Sequence, residues 1–205
     1  MGQISTQQIK FDARQDIENL REGALLVRLL MRTETINRLK KLGKEDEASA
    51  IEREQMKRNL EYAAAFKKGY DFSALYFFKS DDSQLIRDGK LDEIIFLNAN
   101  LEPDETIKVK EKHVFTAEFG NIKQNKDREH SGYILEKDST GVVKKKTYYG
   151  PPNFGFPAIV IMNDQFKQLE KPFPYYMRYS DGFSFYRPTP LGAVKKLNTK
   201  LYQNL

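Results

Sequence analysis

The chain has 205 residues, of which 40% are hydrophobic and 31% charged, and it contains no cysteine. That composition suits one folded domain with a real core, and it excludes disulfides, thiolate metal ligands and thiol nucleophiles. The formal charge of +5 is confined to residues 165–205, where seven Lys/Arg face only Glu170 and Asp181.

Such a basic tail suits an anionic partner, or it is a solvated face that keeps the protein soluble. No apolar run reaches the roughly 18 residues needed to cross a bilayer.

Residues 4–22 carry Ile9, Phe11, Ile17 and Leu20 among polar residues and are expected to form a short helix or arm. Gly23 interrupts it, and Ala24 to Leu30 is a nearly continuous apolar run that reads as a strand buried on both faces. Arg28 is the only charge in that run and needs a carboxylate partner if buried. Thr33 is a plausible N-cap for a first helix with Ile36, Leu39 and Leu42 on one face, ended by Gly43. A longer helix runs from Asp46 or Glu47 to Lys68, with Glu54 and Arg58 at i, i+4. The expected unit is a helical hairpin at 33–68 standing between two parallel strands.

The second strand is Phe72 to Phe78. Ser80-Asp81-Asp82-Ser83 follows at its carboxyl end, where open α/β sheets collect ligands. The two carboxylates suit a Mg²⁺ site or an acid/base pair; equally, they cap the helix that begins at Leu85-Ile86. Glu93 to Asn98 reads as a third strand, and His113 to Phe119 as a strand with one wet face. Residues 121–131 are almost wholly polar and are expected to form a loop. Gly132–Glu136 and Val142–Tyr149 flank a turn and read as a hairpin.

Gly150-Pro151-Pro152-Asn153-Phe154-Gly155-Phe156-Pro157 demands an irregular backbone. A strand from Ala158 to Met162, an Asn163-Asp164 turn and Gln165 to Leu169 come next. Four prolines between 172 and 190 argue against a helix or a central strand there. That segment is read as an extended strap carrying Tyr175, Tyr176, Arg178, Tyr179, Tyr186 and Arg187, the candidate binding residues. Tyr and Arg dominate interface hot spots; the alternative is that the rings complete the core. At least two of Tyr175, Tyr176, Tyr179 and Tyr186 are expected to be partly exposed. Thr189-Pro190 starts a last helix with Leu191, Val194, Leu197 and Leu201 on one face.

No nucleotide loop, dinucleotide fingerprint or nucleophile elbow is present. His113 and His130 lack ligand spacing, so neither a metal nor a cofactor is expected. Lys144-Lys145-Lys146-Thr147-Tyr148-Tyr149 has some character of a nucleic-acid platform, but reads better as a lysine-protected hairpin edge. No nucleic-acid partner is expected.

Two resemblances add to this reading. Met1-Gly2-Gln3-Ile4-Ser5 looks like a mature secreted start with an added Met, because a small residue followed by Gln resembles export cleavage junctions in Bacteroidota. With the Lys/Asn/Phe/Tyr-rich, cysteine-free composition, the chain resembles the uncharacterised envelope proteins of those bacteria. That resemblance implies an exported, periplasmic setting with the signal peptide removed; the alternative setting is cytoplasmic. Separately, residues 156–169 resemble the cis-proline strand and terminal hairpin of thioredoxin-like proteins. The redox cysteines are absent, so only the fold is implied.

The fold expected is a single α/β domain with a mixed sheet: a parallel βαβ start, an antiparallel second half, and a protruding helical hairpin. A thioredoxin-like fold is the alternative. The function expected is non-catalytic binding of another protein or an envelope assembly. The alternative is an enzyme, Mg-dependent or acid/base, with its site at Asp81 and Asp82.

Overall fold

The structure, a computed structural model, describes residues 6–121, 132–137, 143–148, 157–169, 171–180 and 188–205. The elements in chain order begin with α1 (Thr6–Glu22), β1 (Ala24–Leu29), α2 (Thr33–Lys41), α3 (Glu45–Gly69), β2 (Ala74–Lys79) and α4 (Ser83–Arg87). They continue with β3 (Val114–Asn121), β4 (Gly132–Lys137), β5 (Val143–Tyr148), β6 (Pro157–Met162), β7 (Tyr176–Arg178) and α5 (Pro190–Gln203).

Five strands form one mixed sheet in the order β2-β1-β3-β6-β7. β1 is parallel to both β2 and β3, while β3–β6 and β6–β7 are antiparallel. The parallel start and antiparallel second half therefore match the sequence expectation. β1 is apolar apart from Arg28 because both of its faces are covered. Leu25, Val27 and Leu29 pack with Ile17 and Leu20 of α1, Phe66 of α3, and Val194 and Leu197 of α5. Ala24 and Leu26 face the other way, against Phe78, Ile86, Ile94 and Phe96.

α2 and α3 form the expected hairpin, with Gly43 at φ 71° closing α2 in the left-handed region that glycine tolerates. Between Glu45 and Arg58 only Ala48 and Gln55 are buried, so this half of α3 stands away from the core. The second half packs onto the sheet and against α5. Gly69 is the last residue of α3. A β-carbon there would lie 3.1 Å from Val194 Cγ1 and 3.2 Å from Leu191 Cδ1, so its role is close approach of two helices. β4 and β5 form a separate two-stranded antiparallel sheet, the hairpin expected from the turn between them.

Several expectations are corrected. The cap position of α2 is Arg32, at φ 56°, while Thr33 is the first helical residue and turns its hydroxyl to Asp81. Glu93 to Asn98 is not a strand: Leu97 makes one antiparallel bridge to Phe77 and a second to Pro103 as the chain doubles back. Ile94 and Phe96 are satisfied by burial instead of by a ladder. β3 lies between β1 and β6, and its side chains from Val114 to Gly120 are buried or half-buried, so it has no wet face. Gln165 to Leu169 makes only the single bridge Met162–Gln168, because Phe166 adopts φ 55° and Asn163 Oδ1 gathers the amides of Gln165 and Lys167. Phe11 is 64% exposed, since the buried stripe of α1 runs through Ala13, Ile17 and Leu20.

The cis peptide found among the described residues is Lys171–Pro172; Phe156 lies outside them. The polar loop at 122–131 and the Gly/Pro-rich stretch at 150–156 also lie outside the described residues.

Candidate functional site

The strap enters the sheet through Phe173, which is fully buried and stacks on Phe115 with ring centroids 6.4 Å apart. Tyr175 and Tyr176 follow with tilted rings 4.9 Å apart. Tyr175 leans on the main core, and Tyr176 on Ala158, Val160 and Met162 of β6. Both are half-buried, which meets the expectation of two partly exposed rings. In β7, Met177 then points inward and Arg178 outward, the alternation of any strand.

α5 stands beside this segment. Thr189 Oγ1 accepts from the Gly192 amide at 3.3 Å and Pro190 occupies the first turn, so the helix begins where the sequence places it. Its apolar face, Ala193, Val194, Leu197 and Leu201, is buried, which turns Lys195, Lys196 and Lys200 to solvent.

Between the strap and α5 lies an open groove of about 800 Å³, lined by Lys171, Tyr175, Tyr176, Arg178, Lys196 and Lys200 together with prolines, Phe173, Met177, Gln203 and Asn204. Among its described lining residues four are cationic and none is a carboxylate. Among the described residues Lys171, Lys196 and Lys200 form no ion pair. Like charges gathered without a counter-charge repel one another, and an arriving anion relieves that cost.

Of the candidate binding residues, Tyr175, Tyr176 and Arg178 line this groove. Tyr179 does not: it is buried at 4% exposure, its hydroxyl 3.3 Å from that of Tyr62 and its ring edge-on to Phe119. It belongs to the core because it follows β7 on the inward side. Tyr186 and Arg187 lie outside the described residues. Sequence reading counted Lys171, Lys196 and Lys200 in the basic tail but did not place them among the candidate binding residues. The available signal was the i, i+4 spacing of Lys196 and Lys200 on the face of α5 opposite its apolar stripe.

The carboxyl edge of the parallel strands is built differently. Arg28 bonds Glu118 of β3 at 2.7 Å and the Ser83 hydroxyl at 2.9 Å, so it has the carboxylate partner it needs. The Ser83 hydroxyl donates to the Ser80 carbonyl, and Ser80 Oγ accepts from the Met31 amide at 3.0 Å. Asp81 accepts from the Thr33 hydroxyl. Asp82 stands at the N-cap position of α4, as expected, but neither aspartate makes a side-chain cap hydrogen bond, and Asp81 ties α2 to the end of β2 instead. Burial, then the neighbouring Asp81 charge, pushes the Asp82 carboxyl above its ordinary range, with Lys79 opposing.

Asn98 is taken up by its own turn, accepting from the amides of Asn100 and Glu102. No contact joins it to the aspartates among the described residues. There, too, no group of three or more His, Asp or Glu side chains converges as metal ligands would.

No helix among the described residues is long and apolar enough to cross a membrane. Comparison with protein-family models, with curated proteins and with solved structures finds no match.

Proposed function

We propose that this chain is a non-catalytic binding protein of the cell envelope, docking another protein or an assembly through the groove between the strap and α5. The observation that carries the reading is the composition of that groove: four cations and two half-exposed tyrosines, with no carboxylate among its described lining residues. Tyr and Arg at a concave, partly desolvated surface are the residues that concentrate binding energy. The envelope setting rests on the sequence resemblance. The enzymatic alternative draws less support, because Asp81 is engaged by Thr33 and Asn98 by its own turn.

The test is site-specific photo-crosslinking in native cells, with the photoreactive side chain at Tyr176 or, as a control on the exposed surface of α4, at Gln84. The reading expects protein adducts from position 176 and none from position 84. Adducts from position 84 alone, or equal capture from both, would overturn it.

A further inference from the structure

We infer that the partner presents an extended acidic polypeptide segment, laid across α5 from the strap groove to a second basic cleft on the other flank of the helix. The inference rests on the binding reading above and specifies its ligand. The second cleft, of about 470 Å³, lies between the end of α3 and α5, and Lys67, Lys68 and Lys195 are among the residues lining it. Its one carboxylate, Asp71, is already satisfied: Asn198 donates to Asp71 Oδ1 at 2.8 Å and accepts from the Asp71 amide at 3.1 Å. Lys67 donates to the Ala99 carbonyl, and Lys67, Lys68 and Lys195 are all exposed against the single exposed carboxylate of Asp71, so the cleft stays basic.

The two clefts are not separate sites, because the exposed face of α5 joins them. Lys195 lines one, Lys196 and Lys200 line the other, and the apolar residues between them in sequence point into the core. A ligand that meets all of these charges is long, linear and anionic. A compact anion meets only one cleft.

Two features favour a polypeptide over single-stranded nucleic acid. Base stacking needs free aromatic faces, whereas Tyr175 and Tyr176 are half-buried and pack against each other and the sheet. In addition, β7 is the last strand of the sheet among the described residues, so an extended chain in the groove runs beside a sheet edge, a geometry that peptides exploit.

The experiment measures binding of the whole chain to four probes by fluorescence anisotropy or sedimentation: a labelled deca-glutamate peptide, a deca-lysine peptide, an oligothymidine of equal charge, and phosphatidylglycerol vesicles. Deca-glutamate is expected to bind, with an affinity that falls steeply as salt rises. The variant Lys195→Glu/Lys196→Glu/Lys200→Glu is expected to lose about tenfold or more, and the control Lys57→Glu, exposed on α3, about twofold or less. A Lys→Gln triple variant with an unchanged melting temperature separates charge loss from misfolding. Unchanged deca-glutamate binding by both triple variants overturns the inference, as does preference for oligothymidine or for vesicles. If position 176 still crosslinks a protein while deca-glutamate fails, the acidic-segment inference falls and the binding reading stands. If position 176 captures nothing, the binding reading itself falls.

Discussion

Charge is handled in opposite ways at the two ends of the molecule. At the carboxyl edge of the parallel strands, Arg28, Glu118, Asp81, Thr33 and two serines pass hydrogen bonds from β3 to β1, to the turn after β2 and to α2. In the strap groove, Lys171, Lys196 and Lys200 form no ion pair among the described residues. Partly buried charge that is paired and bonded on several sides is committed to holding elements together. Exposed charge of one sign stabilises nothing at home and is kept for something that arrives. A carboxyl edge is the ordinary place to look for a ligand in such sheets, but here the lysines without an ion pair among the described residues line the groove beside β7.

The largest effect should come where the groove is anchored. Phe173→Ala removes a fully buried ring under the strap and should cost about 3–5 kcal/mol of stability, read from chemical denaturation. A loss near zero would mean that the strap is not seated on the core. Next is the network at the strand ends. Arg28→Ala removes bonds to Glu118 and Ser83 and should cost about 2–3 kcal/mol. The pair is about a quarter exposed on each side, which keeps the value below that of a fully buried bridge. A double-mutant cycle with Glu118→Gln should show coupling; additivity would make the network decorative.

Tyr176→Ala sits between the two behaviours. Its half-buried ring should cost about 1 kcal/mol of stability, yet partner binding should weaken by about 2 kcal/mol or more. Lys196→Glu with Lys200→Glu should leave stability within about 0.5 kcal/mol while abolishing adducts from position 176.

The smallest effect belongs to Asp82. Burial and the Asp81 charge raise its carboxyl above the unfolded range, so the folded state holds that proton more tightly. Its contribution is fully present below the unfolded carboxylate range and is lost as pH rises through the folded value. Asp82→Asn should therefore change nothing at low pH and gain under about 0.5 kcal/mol at neutral pH, solvent screening having reduced the term. Urea titrations at the two pH values check the sign; a loss at neutral pH would show an ionised Asp82 doing structural or ligand-binding work.

Much of the scaffold was legible in the sequence because its signals are local. The apolar run at 24–30 announces a strand covered on both faces, Thr189-Pro190 announces α5, and the helices at 33–68 announce the crossover. The site was legible only in part. Tyr175, Tyr176 and Arg178 were found by composition, but strand alternation cannot say which ring turns inward after an irregular proline-rich entry, and Tyr179 turned into the core. Lys171, Arg178 and Lys196 meet only because β7 runs back beside α5. The bond between Thr33 and Asp81 joins residues 48 apart along the chain, and nothing in either segment advertises it. Glu93 to Asn98 misled for a different reason: Ile94 and Phe96 are apolar for packing, and packing alone does not require a ladder.

Hydrogen exchange of the whole chain, with and without a saturating deca-glutamate peptide, tests the central claim most directly. The account predicts slowed exchange in the strap and β7, residues 171–178, with residues 28–33 and 80–87 unchanged. Protection at 80–87 with none at 171–178 would contradict it and return the carboxyl edge of the sheet to first place as the site.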